Sequence, residues 1–319
     1  MKRRGSIFAI GDIHGCADEL DELLAELPLD AHSTLVFLGD YIDRGPESRR
    51  VVDRILALKE EHAVVCLRGN HEDLFAQFLE DPTSPGAGLF IYSGGSATLA
   101  SYADENGEYS IPEAHLAFFD NLAFSHSTAA FFFVHAGVPE IPLEELDVVD
   151  HGPTMLWTRN SFLESDYLWS RIVVHGHSPV DAVEITANRI NLDTGCVYGG
   201  RLSAIQLPEL RIFGVRRKTP AERIVLRDQR SRRRAVRFRG TVPVAVQHRG
   251  LEIHFETADY SELGMFIRAL DASATPIFRV GDVVQGEVRT DPSNPVPFRG
   301  RVTRVVQQDG IWYGLEILP

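Results

Sequence analysis

Five short apolar runs, each breaking into a polar turn, constrain this chain more than any other feature. Ser6-Ile7-Phe8-Ala9-Ile10 leads into Gly11-Asp12-Ile13-His14-Gly15, and Thr34-Leu35-Val36-Phe37-Leu38 leads into Gly39-Asp40. Ala63-Val64-Val65-Cys66-Leu67 is followed by Gly69-Asn70-His71-Glu72, Phe131-Phe132-Phe133-Val134 by His135-Ala136-Gly137, and Arg171-Ile172-Val173-Val174 by His175-Gly176-His177. Runs this short and this rich in Val, Ile and Phe suit buried strands. Helical stretches lie between the first three. Ala17 to Leu27 sets Leu20, Leu23, Leu24 and Leu27 on one face, and Pro46 to Leu58 opens on proline and carries Val51, Val52, Ile55 and Leu56. Strand–helix alternation predicts an α/β layered domain. In such sheets ligands bind beyond the carboxyl ends of the strands, where these polar residues fall.

With 319 residues, 44% of them hydrophobic, the chain can hold one large domain or two ordinary ones. Its net charge of −13 argues against nucleic acid as a general partner. The texture changes after further strands at Arg189-Ile190-Asn191-Leu192 and Leu202-Ser203-Ala204-Ile205. From Arg216 to Arg239 the chain is strongly basic, with Glu222 and Asp228 its only acids. Short strand-like runs follow at 241–246, 250–256, 265–269, 281–289, 300–306 and 312–317, a spacing that suits a small all-β barrel. The predicted division is 1–218 and 219–319, joined by a basic linker at 216–232. Cys16, Cys66 and Cys196 follow no metal spacing and suggest no disulfide framework, so they read as small buried residues. The apolar stretch after Met1-Lys2-Arg3-Arg4 is too short for a signal sequence, and Ala129 to Val134 is too short to span a bilayer. The expectation is a cytoplasmic protein with no membrane span.

The turn residues are metal ligands by type. Asp12 and His14 stand two apart between Gly11 and Gly15, which let the backbone bend close to an ion. Asp40 and Asn70 follow the second and third strands, and His135 and His177 follow two later ones. Carboxylate, imidazole and amide oxygen together suit Mn, Fe or Zn. One Asp can bridge two ions about 3.5–4 Å apart, the usual device for cleaving phosphoesters.

Gly-Asp-x-His-Gly (11–15), Gly-Asp-x-x-Asp-Arg-Gly (39–45) and Gly-Asn-His-Glu (69–72) resemble the signature of the phosphoprotein phosphatase family of metallophosphoesterases. His135-Ala136-Gly137, Gly176-His177 and Leu192-Asp193-Thr194-Gly195 resemble its later motifs. The resemblance covers roughly 5–208 and implies a four-layer βαβ sandwich holding two divalent metals, manganese first, with iron, zinc or magnesium as alternatives. One metal would take Asp12, His14 and Asp40, and the other Asp40, Asn70, His135 and His177. His175 stands at a position usually apolar in that family and is a supporting or spare ligand. Water activated by the ions would attack phosphorus. His71 would protonate the leaving oxygen, with Asp43 orienting its ring and favouring its protonated form. Arg44 and Arg159 would clamp phosphate oxygens. Tyr198 would either reach the site or pack beneath it.

Arg233 and Arg237 stand four apart just before Phe238 and the strand at 241–246. Asp259-x-Ser261-x-x-Gly264 is predicted in a turn after the strand around Ile253 to Phe255. Arg-x-x-x-Arg followed by Asp-x-Ser-x-x-Gly resembles the PilZ domain, a six-stranded barrel that binds cyclic di-GMP. Arg230/Arg234 has the same spacing, but the distance to Pro243-Val244 favours Arg233/Arg237. The resemblance covers roughly 222–319, including Trp312-Tyr313-Gly314-Leu315-Glu316-Ile317. The expectation is a phosphomonoesterase acting on phosphorylated serine or threonine in a protein, or on a small phosphoester, and regulated by cyclic di-GMP through the 216–239 segment. Two rivals remain open. Diadenosine tetraphosphate hydrolases share the Gly11 to Cys16 pattern, although Asp43-Arg44-Gly45 leans toward protein phosphatases. A cyclic di-GMP receptor or scaffold with a vestigial phosphatase domain is the other. A third reading, nucleic-acid binding through the Arg run, predicts steep salt dependence.

Overall fold

The computed structural model describes residues 5–218, 238–239, 241–248, 251–261, 264–270, 276–289, 295–307 and 311–318. The chain forms two compact units, one of residues 1–73 with 109–223 and one of residues 74–108 with 224–319. In chain order the elements up to residue 120 are β1 (Ile7–Ile10), α1 (Ala17–Glu26), β2 (Thr34–Phe37), α2 (Ser48–Glu61), β3 (Ala63–Cys66), α3 (Asn70–Glu80), α4 (Pro85–Phe90), α5 (Ser96–Ser101) and α6 (Glu113–Asp120). Then come β4 (Ser125–Ser127), β5 (Phe131–Val134), α7 (Val148–Trp157), α8 (Asn160–Leu163), β6 (Ile172–His175), β7 (Glu184–Ile185), β8 (Arg189–Asn191), β9 (Arg201–Leu207) and β10 (Arg211–Arg216).

The first unit has the expected layers. One sheet runs β10-β9-β1-β2-β3, with β1, β2 and β3 parallel and β9 and β10 antiparallel. The other runs β4-β5-β6-β8-β7, with β5, β6 and β8 parallel. Their inner faces meet in one core of Ala9, Val36, Leu38 and Leu67 against Phe131, Phe133, Val174, Ile190 and Leu192. Phe132, Val134 and Val173 point the other way, onto Met155 and Phe162 of the covering helices. All four residues of β5 are buried for that reason, and a strand buried on both faces reads as a continuous apolar run. α1 covers the first sheet with Ala17, Leu20, Leu23 and Leu24. α2 starts two residues later than its proline suggests and runs three residues further. It buries Val51, Val52, Ile55 and Leu58, while Leu56 is only half-buried. Every catalytic-type residue of the five motifs sits at the carboxyl end of a strand or in the first turn after it.

The second unit contains a closed six-stranded antiparallel barrel. After the two-residue β11 (Phe238–Arg239) come β12 (Pro243–His248), β13 (Leu251–Ser261), β14 (Gly264–Ala269), β15 (Val283–Val288), β16 (Val296–Gln307) and β17 (Ile311–Ile317). The order β13-β12-β15-β16-β17-β14 closes through a β13–β14 pairing. Phe255 and Phe278 stack in its core and Tyr313 meets both edge-on, with Val246 and Ile267 fully buried. Asp259 and Ser261 were expected in a turn. They lie inside β13 instead, because the strand passes a register shift between Thr257 and Asp259 and continues to pair with β14. The helical segment at 74–108 belongs to this unit. Phe75 and Phe78 pack on Phe90, a Cβ on Gly88 would meet Val242 and Tyr260, and the Tyr92 hydroxyl donates to Pro297 O at 2.9 Å. No helix among the described residues is long and apolar enough to cross a membrane.

Candidate metal centre

The loops that follow β1, β2, β3, β5 and β6 converge, and their backbone is strained where they do. His14, Asp40, Asp43, Arg44 and His177 all have positive φ, between 47° and 72°. Outside glycine this region costs roughly 1–3 kcal/mol per residue and clusters at functional sites. The approach is also very close. A Cβ on Gly69 would stand 2.1 Å from Asp40 Oδ1, and one on Gly176 would stand 2.1 Å from Asp12 Oδ1.

Among the described residues, two sets of donor atoms lie within 4.8 Å of one another and share Asp40: His14–Asp40–His71 and Asp40–His135–His177. In the second set, His135 Nδ1 donates to Leu38 O at 2.9 Å, which leaves Nε2 with a lone pair. That lone pair faces Asn70 Oδ1 at 2.9 Å, His177 Nδ1 at 3.2 Å and Asp40 Oδ1 at 3.4 Å. Three or four acceptors turned on one another in a buried space are satisfied by a cation at their centre. In the first set, His14 Nδ1 donates to Ile42 O at 2.7 Å, and its Nε2 lies 3.4 Å from Asp40 Oδ2. The Arg44 guanidinium reaches both His14 Nε2 and His71 Nε2, the latter at 2.8 Å. The donor chemistry therefore fits divalent cations, and Asp40 is common to the two sets. Asp12 is buried beside them, its carboxylate accepting the His177 backbone N–H at 3.1 Å. It falls in neither donor set, whereas His71 falls in the first. His175 turns away, its Nδ1 donating to Gly176 O and its ring edge-on to Phe162.

Burial governs the protonation of every member. It raises Asp12 well above the carboxylate range, helped by the charges of Asp193 and Asp40. Asp40 is pushed up to about 7 by burial, with Arg44 opposing. His135 is pulled down to about 4, and His14, His71 and His177 are also held low, by burial first. His71 is held by Asp43 as expected, Nδ1 to Oδ2 at 2.6 Å. Burial, and after it the Arg44 charge, holds the ring's pKa low beside this contact. Arg159 stands exposed at the N-cap position of α8 without a side-chain capping bond, and its charge still lowers Asp40 and His177.

Two residues of the expected motifs have parts the sequence reading did not assign. Glu72 is buried and accepts the backbone N–H groups of Asp40, Tyr41, Ile42 and Gly69, so it holds the bridging loop in its strained shape. Asp193 is a further buried acid beside Asp12 and Asp40. Both could have been singled out as acids inside otherwise apolar or glycine-rich motifs. In the barrel, Asp259 is half-buried, and the Ser261 backbone pairs with Gly264. A Cβ on Gly264 would stand 2.2 Å from Leu315 O, so packing alone demands a glycine there. Arg233 and Arg237, with the alternative Arg230 and Arg234, lie outside the described residues.

A two-layered α/β core with this donor set defines a metallophosphoesterase. The chain belongs to the calcineurin-like phosphoesterase family, whose model matches residues 5–189. Its C-terminal region matches the PilZ domain model over residues 231–319. It is 28% identical over 244 residues to an asymmetrical bis(5'-nucleosyl)-tetraphosphatase PrpE of Oceanobacillus iheyensis, covering 67% of this chain and 93% of the relative. It is 29% identical to the same type of protein from Anoxybacillus flavithermus, covering 65% and 92%. A solved protein serine/threonine phosphatase from Saccharomyces cerevisiae is similar at a TM-score of 0.43 and 15% identity, covering 70% of this chain and 83% of that one.

Proposed function

We propose that the chain is a two-metal phosphohydrolase whose substrate is a nucleoside polyphosphate, with a C-terminal barrel that binds cyclic di-GMP and adjusts the rate. The observation that carries the substrate class is Tyr198. The residue is 56% exposed, and its ring centroid lies 5.5 Å from the guanidinium carbon of Arg44. A flat aromatic face beside a phosphate-clamping guanidinium suits a nucleobase with its phosphate chain. The tetraphosphatase activity named for the relatives supports the same class. Phosphorylated serine or threonine in a protein is the second reading, favoured by Asp43-Arg44-Gly45.

When bound, two divalent ions supply positive charge to the phosphoryl oxygens and activate water. Asp40 lies between the two donor sets and Glu72 fixes its backbone. Arg44 binds phosphate oxygens in the space between His14 and His71, and Arg159 adds charge from the rim. His71 Nε2 gives its proton to the leaving oxygen, while Asp43 keeps Nδ1–H in place. A phosphate dianion beside Arg44 offsets that guanidinium's charge, which after burial is what lowers the His71 pKa most.

With manganese present, kcat/KM for a dinucleoside tetraphosphate is expected to exceed that for a phosphoserine peptide. Tyr198→Ala is expected to raise KM for the dinucleotide roughly tenfold to a hundredfold by loss of stacking, with a far smaller change for a small aliphatic phosphomonoester. A peptide preference together with an inert Tyr198 would favour the protein phosphatase.

For the nucleotide sensor, the support is the Arg233/Arg237 spacing and the backbone pairing of Arg239 with Asp259, which lays β11 beside the Asp259–Ser261 segment. Titration calorimetry is expected to show binding of cyclic di-GMP, weakened ~10–100-fold by Arg237→Ala through loss of charged hydrogen bonds. Absence of binding heat at micromolar concentrations would remove the sensor. The 216–239 segment lies mostly outside the described residues.

A further inference from the structure

Cys16 and Cys196 are 180 residues apart in sequence, yet their sulfurs and the Glu19 carboxylate all lie within 4.8 Å of one another. Both thiols are free and buried, at 0% and 2% exposure. The Cys196 thiol is pushed up, first by its hydrogen bond with Cys16 and then by burial, as expected of two sulfurs in contact. Cys16 is the residue after Gly15, its Sγ 3.5 Å from His14 O, and it stands at the N-cap of α1. Cys196 follows Gly195 and opens the short helical turn that ends in Tyr198. The pair thus ties the loop of Asp12 and His14 to the loop of Asp193 and Tyr198.

Two chemistries use such a pair. A soft metal would need Glu19 as a third ligand, but Glu19 is already paired with Arg217 at 2.6 Å, both side chains 14% exposed. Two sulfurs alone do not make the four-coordinate site that zinc requires. Oxidation needs no third group. We propose that Cys16 and Cys196 form a reversible disulfide under a peroxide oxidant, and that this bond slows hydrolysis by drawing the two active-site loops together.

One sulfur attacks a peroxide oxygen and the O–O bond breaks, giving a sulfenic acid and, with the thiol proton, water. The second sulfur attacks the sulfenic sulfur, forming the S–S bond, and the displaced hydroxyl leaves with the second thiol proton as another water. The two thiols together lose two electrons and two protons, and the peroxide is reduced to two waters. An S–S bond is about 2 Å long, so sulfurs up to 4.8 Å apart must approach, and the loops must follow. A shift of about 1 Å at reacting groups costs up to roughly 100-fold in rate.

The test uses the full chain loaded with manganese and treated with hydrogen peroxide. Its first readout is independent of any substrate. The chain has three cysteines, and after oxidation and denaturation one alkylatable thiol, Cys66, is expected, with a Cys16–Cys196 linked peptide in the digest. Dithiothreitol restores three. Hydrolysis of an aryl phosphate is expected to fall about 10–100-fold and to recover with the thiols. Cys196→Ser is expected to yield no linked peptide and no dithiothreitol-reversible loss. Three thiols after oxidation, a linked pair without a change in rate, or loss through sulfinic acids that dithiothreitol does not reverse would each overturn the proposal. It does not depend on whether the natural substrate is a nucleotide or a phosphoprotein.

Discussion

Replacing His71 with asparagine is expected to lower kcat by roughly 10²–10⁴ for a substrate with a poor leaving group. For an aryl phosphate, whose phenolate leaves without much help, the loss is expected to be far smaller. The reason lies in how the ring is held. His71 occupies the first turn of α3, Asp43 fixes its Nδ1 at 2.6 Å, and its Nε2 faces Arg44 and, at 3.9 Å, Asp40 Oδ2. A ring so oriented presents one nitrogen toward Arg44, where the proposed phosphate site lies. The same ring also belongs to a donor set with His14 and Asp40, so ligand and acid make different forecasts for one variant. If His71 is the acid, His71→Asn keeps its metal content by elemental analysis and shows the leaving-group dependence. If it is a ligand, metal is lost and both substrates suffer alike. Asp43→Asn is expected to follow the same pattern more weakly, since it loosens the ring without removing it.

The candidate metal centre was legible because its residues are local signals at the ends of strong local signals. Each candidate ligand follows a run of Val, Ile, Phe or Leu that any layered α/β domain would bury, and the turn geometry then does the placing. Glu72 was harder to assign, because its role is to bind four backbone N–H groups, most of them some thirty residues away. The Cys16–Cys196 proximity follows from pairing β9 against β1, a register set by the whole sheet. In the barrel, the Asp259–Ser261 segment reads as a turn because polar residues break its alternation. Long strands with a register shift tolerate such residues, and only the β13–β14 pairing shows the strand continuing. In the segment at 74–108, Gly86, Gly88 and Gly95 are tightly packed: a Cβ on any of them would meet a neighbouring side chain at under 3 Å.

Removing the metals is expected to destabilise the phosphoesterase unit most at alkaline pH. Asp40 and Glu72 are each pushed up to about 7 by burial, and Asp12 and Asp193 are raised as well. Without cations, these acids bind more protons folded than unfolded between about pH 4 and 7, so stability falls as pH rises through that window. The histidines act oppositely. Their folded pKa values lie below the ordinary 6.5, with His135 at about 4, so they bind fewer protons folded than unfolded, and their contribution rises with pH up to about 6.5. The two effects oppose each other below pH 6.5, and above it only the carboxylates continue, downward. Bound cations compensate the carboxylates and remove that fall. At a free metal concentration of about a thousand times Kd, one site adds ~4 kcal/mol, which at ~2–4 °C per kcal/mol shifts the melting temperature by roughly 10 °C. Melting curves with manganese and with chelator at pH 6 and pH 8 should therefore diverge more at pH 8. Calorimetry in buffers of different ionisation enthalpy should show protons released on metal binding near pH 6.5, because Asp40 must ionise to coordinate. Equal metal stabilisation at both pH values, with no proton release, would mean that the buried carboxylates are not what the metals neutralise.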